Sequence, residues 1–293
     1  MDNNQITLTG ANKKKYIIAA ISLVVILAAV YFLFIFTKGA KSIKPQDSSG
    51  EVKSLSDVEI GKRPFVTLTP ASEGAEIIIS IENMSYWDGI TYDLTYDTER
   101  SGISGTINQG VIGSDVNTKD PIYKKALLLG TASRGVRNAD NTPDHIVTNG
   151  KLNMTLTKDE IEYNSETPWL IDYVGSKSKS FKDASGNFQF QVPLFGKDYW
   201  VIVADTVGVP PDTKDFDTKK TISPLYGVFA VTPDFPKPAN ISIKVDKDAS
   251  NSALWTYSHA DGKWQKQDSK YDSAAKTVTA AVSNFATFVV VGQ

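Results

Sequence analysis

The chain of 293 residues contains no cysteine and only two histidines, His145 and His259. Without cysteine there are no disulfides, no thiolate zinc sites, no cysteine nucleophile and no cysteine for a lipid anchor. Histidine is the side chain that most often acts as a general acid or base near neutral pH, so its scarcity narrows the catalytic mechanisms open to this chain.

The usual sequence signatures of catalysis are also missing. No G-x-S-x-G, H-E-x-x-H, P-loop or G-x-G-x-x-G pattern occurs. His145 follows a polar stretch ahead of a predicted strand, and His259 lies beside the turn dipeptide Asp261-Gly262. The sequence therefore predicts a loop position for His145 and a solvated turn position for His259. We expect no enzymatic activity and no cofactor.

Neither sign of charge dominates, because 31 basic residues stand against 33 acidic ones. A nucleic-acid-binding domain usually carries a basic patch, so nucleic acid is not an expected partner. Three acidic stretches have ordinary turn composition and lack the spacing of a calcium-binding EF-hand loop, so we assign no metal site. These stretches contain Asp140 and Asp144, then Asp212, Asp215 and Asp217, then Asp246 and Asp248.

One long apolar run lies near the N-terminus, from Tyr16 to Phe36. It contains no charged residue, and Ser22 is its only clearly polar side chain. At a rise of about 1.5 Å per residue, a helix over this run spans about 31 Å, which matches the hydrocarbon core of a bilayer. The sequence therefore predicts one transmembrane helix over residues 16–36, with the lipid bilayer as a partner.

Lysines flank both ends of the predicted helix and bear on its orientation. They are Lys13, Lys14 and Lys15 before the helix, and Lys38, Lys41 and Lys44 after it. The count is a tie, but the first three are contiguous and close to the free amino terminus, and long C-terminal domains cross membranes largely regardless of charge. We expect a single-pass protein of the cell membrane with a cytoplasmic N-terminus and an extracytoplasmic C-terminal domain.

A cleaved signal peptide is the alternative interpretation of the apolar run. Signal peptides have apolar regions of about 7–15 residues, and cleavage needs small residues in an A-x-A-like pattern. The only candidate cleavage site with small residues is Gly39-Ala40. Lys38 lies two positions before Ala40 and fits the A-x-A-like pattern poorly. An uncleaved signal anchor is therefore the stronger prediction.

Composition divides the chain into regions on either side of the helix. Residues 1–15 form a predicted cytoplasmic tail, and residues 37–62 a polar juxtamembrane linker. The proline-rich stretch 232–238 is a predicted connector, because proline cannot donate a hydrogen bond to a β-ladder. It separates a predicted β-sandwich domain over residues 63–235 from a small C-terminal β-module over residues 239–293.

Beyond Arg63, apolar and polar residues alternate with a period of two, which places one set of side chains on each face of a sheet. The clearest alternating segments are 75–82, 90–97, 152–157, 188–192 and 241–245. Two continuous apolar runs, 199–204 and 286–291, are typical of central strands covered on both faces. The sequence predicts an all-β ectodomain of the β-sandwich class.

Turn dipeptides separate these segments. They are Asp88-Gly89, Asn149-Gly150, Ser185-Gly186 and Asp261-Gly262. No helical period follows residue 40, although Thr157 with Glu160 fits a capping box that would begin a single helical turn.

The last forty residues of the chain carry a sequence pattern of aromatic strands, a turn and a final hairpin. It reads Leu254-Trp255-Thr256-Tyr257, then Asp261-Gly262-Lys263-Trp264, then a final apolar hairpin from Val278 to Val291 with Asn284-Phe285-Ala286 at its corner. This segment resembles a short β-module near the ends of many bacterial and archaeal surface proteins. That module often has His-Phe-Ser at the last corner, so no role of that histidine carries over to this chain.

Two segments upstream of this module carry a second resemblance, which concerns the location of the protein. Residues 91–97 and 127–131 resemble uncharacterised membrane-anchored surface proteins of small-genome bacteria, and the resemblance implies a place at the cell surface without implying an activity. We therefore expect a non-enzymatic protein in which the helix anchors, the linker spaces, and the β-domains present a face for structural or adhesive contact, with another surface protein as one kind of partner.

Binding of carbohydrate or cell-wall glycan is the alternative function. It would use exposed aromatic side chains, which stack on sugar rings. Tyr86 and Trp87 precede the Asp88-Gly89 turn and are the predicted ligand contacts, whereas Trp200, inside an apolar run, is predicted to lie in the core.

Overall fold

The computed structural model describes residues 52–71, 74–100, 106–129, 145–174, 179–194, 199–211, 213–231 and 234–292. The predicted tail, the predicted transmembrane helix and the first part of the predicted linker lie outside the described residues. Within the described ranges, no helix is long and apolar enough to cross a membrane. Residues Gly50–Gln293 make up one compact unit.

The described unit is all-β, as predicted. Short 3-10 turns lie at Leu55–Asp57, Ile60–Lys62 and Thr218–Lys220. The strands are β1 (Val52–Ser54), β2 (Phe65–Ala71), β3 (Glu76–Glu82), β4 (Gly89–Arg100), β5 (Thr106–Gly113), β6 (Ile122–Leu128), β7 (His145–Lys158), β8 (Ile161–Val174), β9 (Lys179–Lys182), β10 (Phe188–Val192), β11 (Tyr199–Thr206), β12 (Leu225–Phe229), β13 (Asp234–Lys244), β14 (Ser252–Ser258), β15 (Lys263–Lys266), β16 (Ser269–Asp272), β17 (Thr277–Asn284) and β18 (Thr287–Gly292).

The strands form three sheets. The largest has ten strands in the order β15-β14-β18-β12-β11-β8-β7-β4-β5, with β1 paired in parallel to β8. A five-stranded sheet has the order β16-β17-β13-β10-β9, and a three-stranded sheet has the order β2-β3-β6. Strands from both predicted domains therefore share the two larger sheets, and whether residues 239–293 fold by themselves stays a prediction.

Two hydrophobic cores lie on opposite faces of the ten-stranded sheet. In the first core, the three-stranded sheet packs through Leu68 and Ile79 against β4, β7, β8 and β11. In the second core, the five-stranded sheet packs through Phe190 and Ile241 against β11, β12, β14 and β18. The sheets thus stack as three layers where the two cores overlap.

Strand β11 lies between both cores, as its continuous apolar sequence predicts. Ile202 and Ala204 belong to the first core, whereas Val201 and Val203 belong to the second. Successive side chains of a strand point to opposite faces, so a strand covered twice must be apolar at every position. The prediction of a doubly covered central strand is confirmed here.

A smaller third cluster shares the face of the first core. It contains Val209, Leu225, Trp264, Val289 and Val291, with Phe216 packed against it. Leu225 and Phe229 have the same parity on β12, and Phe229 belongs to the first core, so both clusters lie on one face of the sheet. This face therefore has two covers: the segment leading into the three-stranded sheet, and the chain around residues 209–224.

Several local predictions are corrected by the structure. From Val52 the predicted linker is already folded, and Leu55 is buried. Pro236 and Pro238 lie in β13 at a register irregularity between Asp234 and Ala239, because a bulge tolerates the missing donors.

Two predicted turns also differ. Asn149-Gly150 lies inside β7 beside a bulge rather than in a turn. The capping-box residues at 157–160 form a hairpin between β7 and β8, in which Asp159 and Glu160 both have positive φ values of 49° and 66°. Asp88 supports this turn by accepting a 2.8 Å hydrogen bond from the backbone N–H of Asp159.

Candidate functional site: a hydroxyl-lined cleft

A cleft of about 760 Å³ lies where the two covers of one sheet face meet. One wall is the segment 54–60 with Arg63, and the other wall is the segment 218–225. Its floor comes from residues 164–167 of β8 and from residues 205–207 at the end of β11. We name this site the hydroxyl cleft, because eight of its lining residues are serine or threonine: Ser54, Ser56, Ser165, Thr167, Thr206, Thr218, Thr221 and Ser223.

The first wall is held in place by local hydrogen bonds and one buried anchor. Ser54 Oγ accepts a 3.2 Å hydrogen bond from the backbone N–H of Ser56 and caps a 3-10 turn. Leu55 in this turn is only 1% exposed and packs in the first core. Arg63 donates to the carbonyl oxygens of Val58 and Ser56, each at 2.8 Å. The guanidinium group therefore braces the wall with two of its five N–H donors.

The second wall is built in a similar way. Asp217 Oδ1 accepts from the backbone N–H of Lys219 at 3.0 Å and caps the 3-10 turn that follows. Ser223 Oγ accepts from the backbone N–H of Val290 at 2.9 Å, which ties this wall to β18. Thr221 forms an isolated β-bridge with Val291.

An exposed ion pair joins the two walls. Lys219 Nζ lies 3.5 Å from Glu59 Oε1, and Lys62 Nζ lies 3.3 Å from Glu59 Oε2. The ammonium group of Lys62, and then that of Lys219, hold the pKa of Glu59 below its usual value. The carboxylate of Glu166 at the floor pairs with Lys151 at 2.8 Å. These two carboxylates thus already have cationic partners.

Two hydroxyl groups at the floor have no such partner. Ser165 Oγ and Thr206 Oγ1 are buried, and neither forms a hydrogen bond within the part of the chain that the structure describes. Thr206 is only 6% exposed. Parity on their strands places both side chains on the face of the first core, with Trp169 on β8 and Ala204 on β11. Because a buried hydroxyl without a partner costs free energy, such groups usually indicate a bound water or ligand.

Asp205 also lines the cleft but belongs to a different environment. Its neighbours Val201 and Val203 face the second core, and alternation turns its side chain to that face. Its Oδ1 atom is buried without a hydrogen bond to the described residues. Burial, and then the nearby charge of Asp183, raise the pKa of Asp205 to about 7. Asp205 therefore keeps its proton to a much higher pH than an exposed aspartate.

The residues that line the cleft define what it can do chemically. No aromatic side chain and no histidine is among them. The cleft therefore presents no nucleophile beside an imidazole base and no ring for stacking. It presents hydroxyl groups and ionisable side chains next to apolar residues such as Leu55, Val58 and Val207. The ionisable lining residues are Asp57, Glu59, Arg63, Glu166, Asp205 and Lys219. This arrangement suits the binding of a polar ligand through hydrogen bonds.

The two aromatic residues predicted to contact a ligand differ in their exposure to solvent. Trp87 is only 2% exposed, its Nε1 donates to the carbonyl oxygen of Lys62 at 3.0 Å, and its ring packs edge-on against Tyr163. The expectation that Trp87 is exposed is therefore wrong, because the turn it precedes folds onto the start of β2. Tyr86 is 38% exposed, and a ligand contact there stays a prediction.

Cations flank the ring of Tyr86. Lys62 Nζ and Lys158 Nζ lie 5.5 and 5.6 Å from its centroid, within the range of a cation–π contact. The face of this ring is therefore shared with two lysines, which weakens it as a platform for stacking.

His259 is an exposed turn residue, as the sequence predicts, but its ring also packs beside three aromatic rings. The ring lies 5.3 Å from Phe229, 5.5 Å from Tyr257 and 6.0 Å from Phe65. These rings desolvate the imidazole and lower its pKa, which favours the neutral form. His259 also lines a smaller cavity of about 250 Å³ together with Glu82. His145 is the first residue of β7 rather than part of the loop before it.

The described residues of the acidic stretches behave as the turns that their composition indicates. Asp248 accepts from the backbone N–H of Ser250 at 3.0 Å, and Asp217 caps a 3-10 turn. In the ranges that the structure describes, no group of three or more His, Cys, Asp or Glu side chains is placed to hold a metal ion. Asp140, Asp144 and Asp212 lie outside those ranges.

Sequence reasoning missed the floor of the hydroxyl cleft. Ser165 and Thr206 lie in strands, where isolated hydroxyl residues are common and carry no pattern that marks a site. Comparison of the chain with protein-family models and with curated proteins finds no match. The geometry of the cleft is therefore the main guide to function.

Proposed function

We propose that this chain is a single-pass membrane protein that holds its all-β unit outside the cytoplasmic membrane, where the unit has a structural or adhesive and non-enzymatic role. The observation that carries the proposal is the uncharged run Tyr16–Phe36, followed closely by a compact unit that begins at Gly50. A run of this length matches a bilayer core. The contiguous lysines before it favour a cytoplasmic N-terminus.

The hydroxyl cleft supports a binding role over a catalytic one. Its lining has hydroxyl groups and carboxyl groups but no histidine, so it lacks the imidazole base that activates a serine or threonine in most hydrolases. The expected partners are the bilayer, through the apolar run, and a component of the cell envelope or another surface protein, through the β unit.

A protease experiment tests the topology. Protease added to intact cells whose outer layers have been opened is expected to digest the β unit and to spare the first 36 residues, because only the segment after the helix is exposed. The matched control is a variant with Lys13, Lys14 and Lys15 replaced by glutamine, in which a larger fraction of the chains should be protected.

Two results would contradict this topology. A β unit that stays protected until the membrane is lysed would place it in the cytoplasm. A mature N-terminus near Lys41 would identify the apolar run as a cleaved signal peptide.

A further inference from the structure

The smaller cavity that contains Glu82 and His259 lies on the outer face of the three-stranded sheet and shares no lining residue with the hydroxyl cleft. We name it the sheet-face cavity. Its floor comes from β2, β3 and β6, and its wall from the ends of β12 and β14 and the corner between β17 and β18. On β3, Ile79 and Ile81 face the first core, so alternation turns Ser80 and Glu82 to the cavity.

The floor carries one carboxyl group and one ammonium group. Glu82 on β3 is half-buried and Lys124 on β6 is exposed, so a ligand can reach both side chains. Burial raises the pKa of Glu82, and the charge of Lys124 opposes this effect only in part. Within the part of the chain that the structure describes, neither side chain forms a hydrogen bond or a contact ion pair. The cavity thus offers one group of each sign without a close partner.

The rest of the lining is neutral near pH 7. Among the described residues, the other ionisable groups in the cavity are Tyr257 and His259. Burial among aromatic rings lowers the pKa of His259 to about 4, so its imidazole is uncharged. Accessible apolar surface comes from Ile122, which is 46% exposed, and from Ile78, which is half-buried. The two charges therefore balance, with apolar surface beside them.

We propose that the sheet-face cavity binds a small apolar amino acid as its zwitterion, with the ligand ammonium group at Glu82 and the ligand carboxylate at Lys124. A ligand with a single charge would be attracted by one of these groups and repelled by the other, whereas a zwitterion is attracted by both. The cavity volume of about 250 Å³ lies just below the usual range for drug-sized ligands and suits a molecule of amino-acid size. The inference adds a second site and does not depend on the topology proposed above.

Titration calorimetry with the full chain in lipid nanodiscs tests the proposal. The probes are L-alanine, L-valine, L-leucine and L-phenylalanine, with dileucine as a longer zwitterion. The tightest amino acid is then compared with its N-acetyl derivative, which lacks the ammonium group, and with its methyl ester, which lacks the carboxylate. At least one amino acid is expected to bind. Each blocked form is expected to bind about 10-fold more weakly, because it loses one charge-assisted contact.

Two variants assign each contact through ligand preference, which a merely structural role would not change. In Glu82→Gln, the free amino acid and its N-acetyl derivative should bind alike, and in Lys124→Gln, the free amino acid and its methyl ester should bind alike. The matched control is Glu76→Gln, which lies on the same face of β3 but outside the cavity and should keep both preferences. Lys124 is exposed, so Lys124→Gln is expected to melt within about 2 °C of wild type and remains informative if Glu82→Gln folds poorly.

Four results would overturn the inference. They are no binding by any of the four amino acids, binding of dileucine alone, equal binding of free and blocked forms by wild type, and unchanged preferences in the variants. In the first case Glu82 and Lys124 are solvated surface charges. The protease experiment fails separately, since a cytoplasmic β unit would contradict the surface function and leave this site intact.

Discussion

Strands β7 and β11 belong to the same sheet but have different surroundings. On β7, Met154 packs in the first core, whereas Thr155 on the other face is half-buried. On β11, Ile202 packs in the first core and Val203 in the second, and both are buried. The number of covering layers therefore sets the sequence pattern: alternation under one layer, and a continuous apolar run under two.

The most direct test of the number of covering layers is to shorten side chains on each face of the two strands. Ile202→Ala and Val203→Ala are each expected to lower the free energy of unfolding by about 2–4 kcal/mol, because each leaves a cavity in a closed core. Met154→Ala on β7 should cost a similar amount. Thr155→Ala should cost less than about 0.5 kcal/mol, since its side chain borders solvent. Chemical denaturation of the four variants measures the differences.

A control separates core packing from strand propensity. Val203→Thr keeps the β-branched shape and introduces a hydroxyl, so a loss similar to that of Val203→Ala would be due to burial of the polar group rather than to strand propensity. If Val203→Ala were as mild as Thr155→Ala, the second core would not cover β11 tightly.

Asp205 is the polar exception on the doubly covered strand, and its titration should be visible. Burial, and then Asp183, raise the pKa of its carboxyl group to about 7, whereas an unfolded aspartate titrates near 3.9. Its contribution to stability is complete below about pH 4, declines as the pH rises, and is lost above about pH 7. Asp205→Asn should therefore be more stable than wild type at pH 8, by about 2–3 kcal/mol.

The measurement compares the free energy of unfolding of both proteins from pH 4 to pH 8. The difference between them isolates Asp205, because His259, whose pKa is lowered, gives the opposite trend in both proteins, and Glu82, whose pKa is raised by burial, gives the same trend in both. Asp93→Asn on the half-buried face of β4 serves as the matched control. A constant difference across this range would show that Asp205 is ionised at no cost.

Much of the fold is readable from the sequence because the period of two is a direct consequence of strand geometry. The predicted segment 188–192 coincides with β10, and the apolar run 199–204 lies within the doubly covered β11. Of the four turn dipeptides, one does not lie at a turn. Asn149-Gly150 lies inside β7, where a Cβ atom on Gly150 would come within 2.1 Å of the Thr95 carbonyl oxygen. Glycine is needed there for close packing rather than for a turn.

The candidate site is harder to read, because it depends on contacts between distant segments. The walls of the hydroxyl cleft come from residues near 55 and near 220, and its floor from two strands between them. No local sequence pattern predicts a contact between segments so far apart in the chain. Trp87 shows the same limit, since its burial depends on the carbonyl oxygen of Lys62 and the ring of Tyr163.

The smallest expected effect concerns the ion pair across the mouth of the cleft. The side chains of Lys219 and Glu59 are 73% and 53% exposed, and their charged atoms are 3.5 Å apart, so water and salt screen the attraction strongly. The walls are instead held by buried groups: Leu55 on one side, and Leu225 on the other. Lys219→Met is therefore expected to change the melting temperature by less than about 1 °C.

A double-mutant cycle with Glu59→Gln, run at low and high salt, isolates the pair from the shared partner Lys62. A coupling that is clear at low salt and absent at high salt would still fit an exposed pair. A coupling of several degrees that persists at high salt would mean that Lys219 and Glu59 close the cleft as a latch. The two walls would then be joined by a contact stronger than its exposure predicts.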